Sequence, residues 1–143
     1  MTVYKMYVTE SASAAVTSAS IDIQNDGAIE AVTLGVSVVE SSALNFVVSA
    51  EVTFASTPQF TSNDVRASLC QAAAVMQEAT ATPAMGVPGI PFCVVPGLSV
   101  PVEAGERIWL HLQSNTASVD SASAVAYLFV RDGADGKTAR KRR

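Results

Sequence analysis

The chain has 143 residues, enough for one domain with a sizeable core and too few for two. Alanine, valine, serine and threonine make up 70 of them while Trp, Tyr and Phe total nine, so apolar mass comes in small and β-branched packets that suit closely packed strands better than leucine-striped helices. The net charge of −4 hides a split: residues 1–136 hold Lys5, Arg66, Arg107 and Arg131 against all 13 acids, whereas 137–143, KTARKRR, hold five basic residues and no acid, and an acidic body excludes a broad nucleic-acid surface.

The N-terminal MTVYKMYVTES has no basic segment leading into an apolar core, and no apolar run approaches the roughly 20 residues of a membrane span. The expectation is a soluble chain made in a cytoplasm, with no membrane partner. Residues 3–9 and 16–23 alternate like strands, and NDG at 25–27 supplies residues that tolerate positive φ for a tight reversal. In EAVTLGVSVVE, Val32, Leu34, Val36 and Val38 share one side, with Ala31, Thr33, Gly35 and Ser37 on the other, a strand with a small outer face. LNFVVSAEVTF at 44–54 places Phe46, Val48, Ala50, Val52 and Phe54 inward and Asn45, Ser49, Glu51 and Thr53 toward water.

Past Phe54 the pattern breaks. Ser62, Asn63 or Asp64 can cap a short helix carrying Val65, Leu69, Ala73 and Met76 at helical spacing, while Val65, Ala67 and Leu69 also alternate and leave a pair of strands open over 62–78. From Glu78 to Gly97, with prolines at 83, 88, 91 and 96, the chain reads as a long Pro-rich loop containing a short strand at FCVV. Closing strands follow at 107–114 and 124–131. Seven or eight strands at this spacing make an all-β, antiparallel two-sheet sandwich of jelly-roll or Greek-key topology, a single domain over 1–132, followed by a flexible basic tail over 133–143.

Strand 107–114 raises a question of coverage. Ile108, Leu110 and Leu112 share one face, which leaves Trp109 and His111 on the other. Strand 124–131 likewise puts Ala126, Leu128 and Val130 opposite Tyr127, Phe129 and Arg131. If the two strands share a sheet, Trp109, His111, Tyr127 and Phe129 form an apolar patch that belongs in a subunit interface. Alternatively the rings form the core and the aliphatics face a second layer or loop.

Catalytic and metal motifs fail. His111 is the only histidine, and Cys70, Cys93 and His111 together leave zinc one ligand short. The two cysteines are too few for a disulfide framework and read as free buried thiols. DGADGKT lacks the first glycine of a phosphate loop, Arg131 standing there, and DIQNDG and DGADG lack a full calcium-ligand series. No cofactor, metal or catalytic residue is expected.

The segment SVPVEAGERIWLHLQSNTASVDSASAVAYLFVRDG, with its V-x-A-G-E-R-I turn around Gly105 and its final A-V-A-x-L strand, resembles the C-terminal half of small jelly-roll decoration, or cement, proteins of tailed-bacteriophage capsids. The likeness is clear over the last third of the chain. It implies a non-enzymatic virion protein, often trimeric, that binds the major capsid protein or other virion proteins and stabilises the shell. The alternatives are a carbohydrate- or receptor-binding jelly-roll module of a virion and, last, an enzyme.

The basic residues Lys137, Arg140, Lys141, Arg142 and Arg143 read as a solvated tail, able to dock on an acidic capsid surface or to touch nucleic acid through a few phosphate contacts. Deleting residues 137–143 is expected to leave folding intact and to weaken attachment to such a surface increasingly as salt rises, since exposed charges are screened over roughly 8 Å at physiological ionic strength. A salt titration of binding for the full-length and shortened chains checks this.

Overall fold

The computed structural model describes residues 1–10, 16–39, 46–58, 68–76, 92–114 and 121–133. Among them run nine strands: β1 (Thr2–Glu10), β2 (Val16–Asp22), β3 (Gly27–Val39), β4 (Phe46–Thr53), β5 (Ser68–Met76), β6 (Phe92–Val95), β7 (Val100–Val102), β8 (Arg107–Ser114) and β9 (Ser121–Asp132). Every pairing is antiparallel, in two sheets: β1-β9-β3-β6, with β7 also on β3, and β2-β8-β4-β5. The pairs nest. β4 joins β5, β3 joins β6 and β7, β2 joins β8 and β1 joins β9, so the chain follows one long hairpin rolled around a core, closed by β9 against β3 and β8 against β4. This is the jelly-roll sandwich that the alternation predicts.

Period-2 patterning sorts the side chains between core and outside. β8 turns Ile108, Leu110 and Leu112 inward, β9 turns in Ala122, Ala124, Ala126, Leu128 and Val130, and β4 contributes Val48, Ala50 and Val52, all buried. β1 adds Met6 and Val8, and β3 adds Ile29, Val32 and Leu34, with Val36 and Val38 packed against them. The inward positions of β3 and β4 match the sequence pattern. Each fully buried Leu or Ile contributes on the order of 1.5–3 kcal/mol by leaving water, and the alanines of β9 and β5 let the two layers approach where larger residues would overfill the space.

Three expectations are corrected. Residues 68–76 form a strand, β5, and not the second half of a helix: Cys70, Ala72 and Ala74 point into the core at period 2. Residues 62–67 and the tail from 134 lie outside the described residues, as does the Pro-rich stretch 77–91, while FCVV is the expected short strand, β6. The NDG segment joins two strands of different sheets and closes no hairpin, because β2 pairs with β8 and β3 with β9. Nor does Gly27 need a positive φ, unlike Gly105 at φ 92°. Gly27 sits in the ladder opposite both Asp132 and Val102, where a Cβ would collide with the Arg131 carbonyl.

Gly105 serves the turn that the V-x-A-G-E-R-I pattern marks. Its N–H donates to Ile23 O at 2.8 Å, Ile23 N–H donates to Glu106 O at 2.8 Å, and the Ala104 N–H donates to Asp26 Oδ1 at 2.9 Å, so this turn is tied to the β2–β3 connection. The Glu106 carboxylate also accepts from the Glu103 N–H at 2.6 Å.

Two glycines on β3 are therefore expected to respond oppositely to the same change. Gly27→Ala forces a methyl into backbone that cannot move without breaking pairing, and should cost roughly 1–3 kcal/mol. Gly35→Ala meets nothing within 4 Å and should leave stability near wild type. Urea denaturation of both variants checks the contrast.

Candidate functional site

β8 and β9 lie in different sheets, so the four residues Trp109, His111, Tyr127 and Phe129 do not form one patch. Trp109 and His111 are on the outer face of the β2-β8-β4-β5 sheet, and Tyr127 and Phe129 are on the outer face of the other. The two faces have opposite characters.

On the first face, cross-strand register brings Ser18 and Glu51 to either side of His111, and Ser20 and Thr53 to either side of Trp109. Three of these polar residues, Glu51, Thr53 and His111, are fully buried, so the side of β4 expected to meet water is covered here. Each has a hydrogen-bonding partner. His111 Nε2 lies 3.0 Å from Ala55 O, and since a carbonyl only accepts, Nε2 carries the proton. Nδ1, on the other side of the ring, is hydrogen-bonded with Ser18 Oγ at 2.6 Å. Gln71 Nε2 donates to Glu51 Oε2 at 2.7 Å, and the Ala55 N–H donates to Thr53 Oγ1 at 3.1 Å, closing the turn that follows β4 over this face.

Trp109 stacks flat on His111, centroids 6.1 Å apart and planes 6° apart, and the Arg107 guanidinium sits 5.9 Å over the Trp109 ring. Arg107 Nε in turn pairs with Asp22 Oδ1 at 2.9 Å. That answers the question of coverage: Trp109 is half-buried between a cation and an imidazole. This face is a satisfied polar layer. Ser18 and His111 have the contact of a nucleophile with its base, yet the oxygen on the far ring nitrogen is a structural carbonyl of the covering turn.

The outer face of β1-β9-β3-β6 is different. Register aligns Tyr7, Val125, Gly35 and Phe92 in one row across four strands, and Lys5, Tyr127, Thr33 and Val94 in the next, with Val3, Phe129 and Ala31 beyond. Tyr7 is 59% exposed, Phe92 58%, Val3 51% and Val94 48%. Lys5 is the charge within these rows, its Nζ 6.0 Å over the Tyr127 ring. Tyr7 and Phe92 wall a groove of about 290 Å³, floored by Gly35, Val125, Ser37 and Ser123. It exists because Gly35 puts no side chain between the two rings.

Tyr7, Phe92, Val3 and Val94 were not among the residues singled out from the sequence. The signal was present in TVYKMYVTE, where Val3, Lys5 and Tyr7 alternate with Tyr4, Met6 and Val8, but both phases of that strand are apolar and neither declares itself the outer one. Among the described residues no group of three or more His, Cys, Asp or Glu could hold a metal ion.

No protein-family model and no curated protein matches the chain. Among solved structures it is similar to the infectious bursal disease virus VP2 subviral particle at 12% identity, covering 92% of this chain and 38% of that one with a TM-score of 0.29. It is also similar to the infectious bursal virus derived T=1 particles (15% identity, 90% and 37% covered, TM-score 0.25) and to the Gt strain of infectious bursal disease virus (14%, 93% and 37%, TM-score 0.24). The chain thus spans under two fifths of each of those chains. Overlap this loose defines no shared role.

The polar face makes its own prediction. His111→Ala removes a fully buried ring and takes the donor from the Ala55 carbonyl, which should lower stability by about 2–4 kcal/mol. Trp109 fluorescence should shift to the red as its stacking partner is lost. Thermal unfolding followed by tryptophan emission tests both.

Proposed function

We propose that the protein is a non-catalytic structural component of a virus particle that works by docking the outer face of its β1-β9-β3-β6 sheet. The observation that carries this reading is the exposed apolar face itself. Strands about 4.8 Å apart and rows about 6.8 Å apart make it roughly 400 Å², within the range of the largest apolar patches on soluble proteins, which are often functional. Its aromatic residues are of the kind enriched at interface centres.

In its finer form the proposal is a decoration protein of a bacteriophage capsid, a homo-oligomer, most simply a trimer, seated on the major capsid protein and held further by the C-terminal basic residues. Support comes from the likeness of residues 99–133 to cement proteins together with the apolar face. A protein that binds the assembled shell better than its free subunits stabilises the shell by that difference, repeated at every site of the lattice. The groove between Tyr7 and Phe92 favours a second reading, a glycan- or receptor-binding module of a virion, because exposed rings offer flat faces to a sugar.

Replacing both Tyr7 and Phe92 by Ser tests the proposal with little risk to folding, since both side chains are more than half exposed. Oligomer mass by light scattering and binding to capsids should fall, the latter by 30-fold or so if the two rings together carry about 2 kcal/mol of the binding. Particles lacking the protein should assemble yet lose their genome at lower temperature, and the added wild-type chain should restore them where the double variant does not. Particles equally robust with and without it would sink the stabilising role, and glycan binding abolished by the same double variant would favour the second reading.

A further inference from the structure

The two cysteines of this chain end up in one place. Cys70 lies on β5, the last strand of one sheet, opposite Val52, and Cys93 lies on β6, the last strand of the other sheet, opposite Leu34. β5 and β6 run beside each other at the same side of the sandwich without exchanging ladder hydrogen bonds. Cys70 is buried in the core and Cys93 is half-buried against it, near enough that the Cys93 thiol acts on that of Cys70. Both are free. No third His, Cys, Asp or Glu joins them among the described residues, so the pair falls short of a zinc site.

We propose that Cys70 and Cys93 form a reversible disulfide that fastens the edge of one sheet to the edge of the other. The inference is independent of what the outer face binds. The partner reagent is a small-molecule disulfide such as oxidised glutathione. The Cys93 thiolate attacks one of its sulfurs, forming a mixed disulfide and releasing one thiolate; the Cys70 thiol then loses its proton and attacks the Cys93 sulfur, expelling the second. Two protein thiols are oxidised and one external disulfide is reduced to two thiols.

Burial, and after it the neighbouring Cys93, pushes the Cys70 thiol well above its ordinary pKa, which keeps it protonated and out of reach of reagents until its partner is activated. The order of attack follows: Cys93, the more exposed sulfur, reacts first, and Cys70 resolves it. In a reducing cytoplasm the pair remains as thiols, and in oxidising surroundings the bond closes a loop over residues 71–92 that restricts the unfolded chain.

The test uses the folded full-length chain. Trypsin leaves both cysteines on one peptide, 67–107, because no Lys or Arg lies between Arg66 and Arg107. Incubation with oxidised glutathione should remove two hydrogens from that peptide, block both cysteines from alkylation without denaturant-resistant dimers, and raise the unfolding midpoint by roughly 10 °C. Reduction should reverse all three. Cys70→Ala should instead hold a stable glutathione adduct on Cys93 and show no rise. An adduct on wild type as long-lived as that on Cys70→Ala would overturn the proposal. So would cross-linking between chains, or a wild-type chain left unreacted.

Discussion

The pairing of β3 with β9 is the constraint on which the rest of the molecule depends. It runs from Gly27 opposite Asp132 to Val39 opposite Ser121, with one irregularity between Ile29 and Ala31. By joining the first third of the chain to its end, it closes the rolled hairpin and fixes which phase of each neighbouring strand faces inward. A slip of one residue would exchange Leu128 and Val130, both fully buried, for Tyr127 and Phe129. Gly27 guards the register at one end because only a glycine lets the Arg131 carbonyl approach so closely.

Once that register is set, the two outer faces are what remains. One was completed internally: His111, Glu51 and Thr53 lie fully buried under the turn at Ala55 with their hydrogen bonds made. The other was left apolar and open around Gly35. The same fold thus separates a face that stabilises the monomer from a face that the monomer does not use. Burial of polar groups with partners and exposure of apolar groups without them are the informative departures from the average protein surface.

Strands were legible wherever one phase was apolar and the other polar, as in Val48, Ala50 and Val52 against Ser49 and Glu51. β5 was hard to read because SLCQAAAVM is rich in alanine, which has the best helix propensity and also fits a tightly spaced interior, so local preference and tertiary demand disagreed and packing won. Sheet membership was not legible at all. Nothing local in IWLHL or AYLF says that Trp109 and Tyr127 belong to opposite layers, since that depends on partners up to a hundred residues away, such as Ser18 for His111. Gly35 was visible as part of a small outer face, but the groove it opens required knowing that β6 brings Phe92 beside it.

β7 carries a proline at 101, opposite Ala28, on a strand that has β3 on one side and no hydrogen-bonded strand on the other among the described residues. A proline fits a ladder where its nitrogen faces away from the partner strand, so the free rim of β7 lacks a donor there. Another chain cannot extend the sheet across that rim with an unbroken ladder, and open-ended fibre growth is blocked at this border.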